Sequence, residues 1–323
     1  MLRIGIIGAG PMAMSHGKYF ATCGRAKVVA VADPLPAPAE AMAKETGAKT
    51  YSDYRQFLDQ VDAVVVASPN FLHREQAIAT AQAGKHLYCE KPVGLTGDDA
   101  RAIAAAVKAA KVTSQVGFSV RFDPTIQEML RRLQSGELGQ LMSTASRRLA
   151  WMEPVTSGWR ADHSKSGGLL YEINIHEIEW MMYAGEVTSV YARIRAATNQ
   201  GPLANDHIWV TLNYANGAVG THEGSWLSPT CMFYRNLQGT EAGFSTNEWG
   251  SELYFSRGAA NRETLTGLKG FDLRGNFLDA IAGTAKATAD IEWGVKVMSV
   301  CDAIRESART GLPVAVQAAK ASA

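Results

Sequence analysis

The apolar run Leu2–Ile7 leads straight into Gly8-Ala9-Gly10-Pro11-Met12-Ala13, and this junction limits the fold more than any other part of the chain. A G-x-G-x-x-A turn between a strand and a helix lets Gly8 turn sharply and lets the backbone at Gly10 approach a pyrophosphate. Ala13 keeps the helix close to the strand. Free N–H groups at the start of the helix that Pro11 and Met12 open then face the anion. Further short apolar runs follow at Lys27–Ala32, Ala63–Ala67, Lys85–Cys89 and Thr113–Val116, separated by alanine-rich helical stretches such as Glu75–Ala83 and Asp98–Ala110. Strands that lack polar alternation, each followed by a helix, predict a parallel doubly wound sheet of Rossmann type. Asp33 ends the second strand 23 residues after Gly10. A carboxylate there receives ribose hydroxyls and repels a 2′-phosphate, and no arginine follows closely, so NAD is expected rather than NADP.

The 323 residues exceed one ordinary domain and suggest two. The second pattern starts near Asp123-Pro124, an N-cap and first-turn proline ahead of the stripe Ile126, Met129, Leu130 and Leu133. Ile208, Val210, Leu212 and Tyr214 alternate with polar residues before Asn216-Gly217, a hairpin signal. More strand signals lie at Met232–Gln238 and Glu252–Phe255, and a helix over Glu292–Thr310 is closed by Gly311 and Pro313. The expected fold class is therefore α/β. A Rossmann domain over residues 1–120 precedes an α+β domain with antiparallel strands over 121–323.

Several functions are excluded on composition. Thirty-two basic against 31 acidic residues leave a formal charge of +1, so no global field holds nucleic acid or an anionic membrane. Cys23, Cys89, Cys231 and Cys301 form no C-x-x-C pair, which points to reduced thiols rather than a zinc ribbon or a disulfide framework. The histidines show no ligand spacing, so no metal is expected. No apolar run reaches membrane-spanning length and no leader precedes Leu2, which makes a cytoplasmic protein the expectation.

Two segments carry candidate chemistry. Tyr88-Cys89-Glu90-Lys91-Pro92 places Lys91 just past the carboxyl end of a parallel strand, where ligands of such sheets bind. A turn lysine paired with Glu90 is the plain alternative. Gly167-Gly168 opens a stretch which, as one helix, sets Glu172, His176 and Glu179 on one stripe at spacings of four and three. A carboxylate one turn from an imidazole can orient the ring and raise its basicity, as removal of a hydroxyl proton requires. The same pair could instead serve only helix formation. No G-x-S-x-G elbow or activated cysteine supports acyl chemistry.

With these residues the chain closely resembles the Gfo/Idh/MocA family of NAD(P)-dependent oxidoreductases, which includes glucose-fructose oxidoreductase and inositol dehydrogenases. The resemblance rests on the N-terminal glycine motif, Ala67-Ser68-Pro69-Asn70 with His73, Ala83-Gly84-Lys85-His86 leading into Glu90-Lys91-Pro92, Arg121-Phe122, Trp159-Arg160, Gly167-Gly168 through His176, and Ser307–Gly311. It implies an open antiparallel C-terminal sheet that often forms an oligomer interface, hence a homodimer or homotetramer, and sugar or cyclitol substrates. It also implies that Lys91, His176 and the acid one turn earlier, here Glu172, form the catalytic set. Ser68, Asn70, His73 and Glu90 would line the cofactor cleft. Two positions depart from the common family form: Glu172 replaces the more usual aspartate, and Asn174 stands where glycine is frequent. The longer acid reaches further and could contact a substrate hydroxyl directly.

The expected activity is reversible oxidation of a secondary hydroxyl of a sugar, glycoside or cyclitol, with His176 as base and Lys91 stabilising the reacting oxygen. The two roles could be exchanged. Phe122 and Trp159 could stack on a pyranose, Arg160 could bind a polar substituent, and Arg121 could meet the nicotinamide or the sheet edge. Two other readings use the same residues: an NAD-tethered glycosidase or lyase working through transient oxidation, and a catalytically silent sugar-sensing regulator.

Overall fold

The computed structural model describes residues 1–152, 157–195, 207–258 and 261–317. The chain folds into two compact units.

The first unit contains a six-stranded parallel sheet ordered β3-β2-β1-β4-β5-β6. Its strands are β1 (Leu2–Ile7), β2 (Ala26–Ala32), β3 (Lys49–Tyr51), β4 (Ala63–Val66), β5 (His86–Cys89) and β6 (Ser114–Val116). They alternate with the helices α1 (Pro11–Thr22), α2 (Pro36–Thr46), α3 (His73–Gln82) and α4 (Gly97–Ala110). Ile4, Ile6, Val28, Val31, Val64, Val65 and Leu87 are fully buried, because helices cover both faces of the sheet and leave no position that favours a polar side chain. Strand order reverses beside β1, where Ile7 is level with both Ala32 of β2 and Val66 of β4. This switch point is where such sheets accept ligands. Edge strand β3 was not expected from the sequence.

The second unit is built on a nine-stranded mixed sheet ordered β14-β13-β12-β11-β7-β10-β9-β8-β15. These strands are β7 (Leu141–Trp151), β8 (Val187–Arg195), β9 (His207–Tyr214), β10 (Val219–Ser225), β11 (Leu227–Gly239), β12 (Gly243–Thr246), β13 (Leu253–Ser256), β14 (Arg262–Leu265) and β15 (Val314–Ala315). Every pairing is antiparallel except β7 with β10. The expected hairpin is β9–β10, with Tyr214 bonded back to Ala218 around Asn216-Gly217. Helices α5 (Pro124–Gln134), α6 (Gly158–Ala161), α7 (His163–Ser166) and α8 (Ile175–Ala184) accompany it. One sheet face is the core: Ile208, Val210, Leu212 and Tyr214 are buried, and the Tyr214 hydroxyl donates to the Met181 carbonyl of α8. The other face leaves Tyr191, Trp209 and Val219 exposed.

A single division at residue 120 is not what the chain adopts. Asp272–Met298 belongs to the first unit, and the second unit resumes at Ser299, inside α10 (Ile291–Thr310), which follows α9 (Leu273–Ile281). The reason is local: β6 has an open edge, and Val116 donates its N–H to the Ala289 carbonyl while the Ser114 hydroxyl accepts from Ile291. Phe277 packs edge-on against buried Tyr88. No helix among the described residues is long and apolar enough to cross a membrane.

Candidate active site

In the first unit the glycine turn has the shape a dinucleotide needs. Gly8 has φ +93°, and a Cβ there would lie 2.7 Å from the Ala67 carbonyl oxygen, so only glycine fits. At Gly10 a Cβ would meet nothing within 4 Å, which leaves the backbone open to an incoming group. Asp33 stands beside this turn, accepting from the N–H of Ala9 at 2.9 Å and of Leu35 at 2.9 Å. Pro11, Met12 and Ala13 form the first turn of α1. These residues fit a bound dinucleotide on geometry alone. Replacing Asp33 with serine is expected to weaken NAD about tenfold or more, the loss of hydrogen bonds to a charged acceptor. It should also narrow the preference over NADP, and fluorescence titration with both cofactors checks this.

The Lys91–Pro92 peptide is cis and follows β5 directly. Around it the polar groups are buried and tied together. His16 of α1 meets Glu90 at 2.7 Å, a contact the sequence did not signal. Burial pushes the Glu90 carboxyl up, but the hydrogen bond and charge of His16 and the charge of Lys91 outweigh it, leaving Glu90 below the ordinary carboxylate range. His73 links two strand-end loops, with Nδ1 2.8 Å from the Pro92 carbonyl and Nε2 2.8 Å from the Ser68 carbonyl. Burial lowers its pKa. Ser68 donates its hydroxyl to Gln76, and Asn70 is buried in the turn that opens α3. Four of the expected cleft residues thus brace the turns after β4 and β5, and Lys91 sits at the same sheet end as Gly8.

In the second unit the segment expected as one helix is helical throughout but not uniform. Leu170–Asn174 is a π-turn, and α8 begins only at Ile175. Such turns recur at functional sites. His176 is buried on the first turn of α8. Glu172, 9% exposed in its side chain, accepts from Arg160 Nε at 3.0 Å, a partner the sequence did not signal. The Arg160 guanidinium lies 4.4 Å from the Trp159 ring centre. Trp159, Arg160 and Glu172 therefore form one constellation. Arg121 is buried against Glu179, Nε to Oε1 2.7 Å, with the Phe122 and Tyr183 rings beside it. Phe122 is itself buried and packs on Phe271. These two positions brace α8 from beneath rather than presenting an open surface. Asn174 is fully buried, its amide lies against Gly224 where a Cβ would come within 2.3 Å, and neither amide atom has a partner among the described residues.

Glu177, beside His176, anchors α8 to the sheet. Its carboxylate receives Arg235 Nη2 at 2.7 Å and Nε at 3.0 Å, Trp180 Nε1 at 2.8 Å and the Ser146 hydroxyl at 2.9 Å, with Arg148 at 3.4 Å. Burial pushes Glu177 up, yet the charge and hydrogen bonds of Arg235, then the charge of Arg148, hold it well below the usual carboxylate range. Next to Ser146, burial pushes the His222 imidazole down to about 4, outweighing the charge of Glu177. Between pH 6.5 and about 4 the unfolded chain binds a proton at this position that the folded chain does not. His222 therefore stabilises the fold fully above pH 6.5, and the contribution is lost as pH falls toward about 4. Denaturant melts of His222→Gln and of the parent chain across this range should show a shallower acid slope in the variant.

Among the described residues no group of three or more histidine, cysteine or carboxylate side chains is arranged to hold a metal ion.

Comparison with known proteins matches residues 2–118 to the oxidoreductase family with an NAD-binding Rossmann fold, and residues 126–245 to the GFO/IDH/MocA C-terminal domain. The chain is 31% identical over 263 residues to a levoglucosan dehydrogenase of Pseudarthrobacter phenanthrenivorans, covering 69% of this chain and 67% of that one. It is 32% identical over 243 residues to the scyllo-inositol 2-dehydrogenase (NAD(+)) of Bacillus subtilis, covering 71% and 68%. Alignments with such relatives reach from 63% to 68% of their length. A solved levoglucosan dehydrogenase in complex with NADH and levoglucosan superposes with a TM-score of 0.89 at 27% identity, over 98% of this chain and 100% of that one. The glycine turn, the E-K-P turn, the π-turn leading to His176 and both family matches agree: the chain belongs to the GFO/IDH/MocA oxidoreductase family, and its first unit is an NAD-binding Rossmann fold.

Proposed function

We propose that the protein is an NAD-dependent dehydrogenase that reversibly oxidises a secondary hydroxyl of a sugar, glycoside or cyclitol. The observation that carries this reading is the position of Lys91, two residues past the end of β5, at the sheet end that also holds the Gly8–Gly10 turn and Asp33. Family membership and the likeness to levoglucosan and inositol dehydrogenases support it. Bound NAD supplies the hydride acceptor. The chain supplies the proton chemistry: His176 takes the hydroxyl proton, while the Lys91 ammonium donates to the reacting oxygen and stabilises its developing charge. Glu172 and Arg160 hold the sugar beside Trp159, whose ring offers an apolar face to a pyranose. Ser68, Asn70, His73 and Glu90 shape the cofactor loops, and Arg121 and Phe122 act from beneath α8.

A panel of sugars, cyclitols and glycosides incubated with NAD and followed by NADH absorbance tests this. Net NADH from at least one polyol is the expected result. Glycoside cleavage without net NADH, or NAD binding with no turnover of any member, would contradict it.

The second copy of this chain is the partner we assign to the open sheet face, where Tyr191, Trp209, Met232 and Tyr234 line a concavity of about 890 Å³ together with Arg147 and Glu223. Exposed apolar side chains spread over one sheet face favour burial against an equal surface. Light scattering should give a dimer or tetramer for the parent chain and a monomer for Trp209→Glu. The four free thiols support a cytoplasmic setting.

A further inference from the structure

The stretch 157–184, which holds the π-turn and His176, contains six charged side chains: Arg160, Asp162, Lys165, Glu172, Glu177 and Glu179. Each is engaged by an opposite charge within the second unit. Arg160 Nε lies 3.0 Å from Glu172 and Lys165 Nζ 3.0 Å from Asp162, Glu177 is held by Arg235 and Arg148, and Glu179 by Arg121. Arg160 is the most telling. Its flat face covers the Trp159 ring and its edge meets a carboxylate whose side chain is 9% exposed against 40% for its own. An anionic substituent arriving here would either take the remaining N–H groups of Arg160 or displace Glu172 from it, and in both cases would lie beside the Glu172 carboxylate. Hydroxyl groups face no such conflict, since a neutral ion pair offers them both a donor and an acceptor.

We propose that Glu172 determines specificity: by neutralising Arg160 it restricts the site to uncharged sugars or cyclitols and rejects sugar phosphates and uronates. This rests on the dehydrogenase reading and narrows its substrate class. Like-charge rejection by a buried carboxylate is the repulsive half of the discrimination, and hydroxyl recognition by the pair is the attractive half. The extra methylene of glutamate over aspartate gives the carboxylate the reach to meet Arg160.

The test uses the full chain with two readouts. In the first, kcat/KM with NAD is compared for glucose against glucose 6-phosphate and glucuronate, and for myo-inositol. The parent chain is expected to favour the neutral member at least about tenfold, and Glu172→Gln to shift the ratio at least about tenfold toward the anionic one. In the second, inorganic phosphate is titrated calorimetrically into the NADH-loaded protein. Glu172→Gln should bind it at least about tenfold more tightly than the parent chain, and the double variant with Arg160→Gln should lose that gain, which locates the anion site at Arg160. Preference of the parent chain for the anionic sugar, or equal phosphate affinity in parent and Glu172→Gln, overturns the proposal. Because the phosphate readout needs no turnover, absence of any sugar oxidation would sink the dehydrogenase reading while leaving this one to stand or fall on its own result.

Discussion

Lys91→Ala is expected to lower kcat by about 10²- to 10⁴-fold while leaving NAD affinity within a few-fold of the parent chain. The ammonium lies outside the braced Gly8–Gly10 turn and Asp33, so removing it should spare the cofactor and remove stabilisation at the reacting oxygen. His176→Ala should cost a similar factor by removing the acceptor of the hydroxyl proton. Stopped-flow measurement of NADH formation separates this step from release of product. The two variants also sort the roles: if His176 is the base, the acid limb of the pH–rate profile disappears in His176→Ala and persists in Lys91→Ala. Equal turnover in either variant and the parent chain would remove that residue from the mechanism.

The second large effect is on stability. Glu177→Ala should destabilise the second unit by about 3–5 kcal/mol, because it leaves Arg235 and, in part, Arg148 as buried cations without a counter-charge. The loss of four close donors on one carboxylate, Arg235 twice, Trp180 and Ser146, also strands the Trp180 indole N–H in a fully buried position. Urea unfolding followed by tryptophan fluorescence reads the change. An unaltered midpoint would show that the carboxylate anchors nothing. Since His176 is the preceding residue on α8, a partial loss of kcat is expected to accompany the melt even where the variant remains folded.

The first unit could be read closely from the chain because its strands are buried on both faces and their apolar runs, such as Ala63–Val66, are uninterrupted. The edge strand β3, Lys49–Tyr51, could not: it is three residues long and largely exposed, so no periodicity marks it. The π-turn was missed for a different reason. Glu172, Ile175, His176 and Glu179 satisfy helical spacing whether or not the helix widens, so nothing in their spacing marks the widening over Leu170–Asn174. Arg235 and Glu177 stand 58 residues apart, and each looks like an ordinary polar position of a strand or helix, so their pairing has no local signature. Lys91, His176 and the glycine turn stand in short motifs that can be picked out along the chain; the partners of the neighbouring carboxylates, His16 for Glu90 and Arg160 for Glu172, required the fold.

A double-mutant cycle on the rate of the hydride-transfer step tests the central claim most directly, namely that Lys91 and His176 serve a single chemical step. Groups that act as a unit are grossly non-additive. The combined Lys91→Ala and His176→Ala variant is therefore expected to be no more than about tenfold slower than the slower single variant. Fully additive losses, with the double variant slower by the product of the two single effects, would mean that the two residues act independently and would contradict the mechanism.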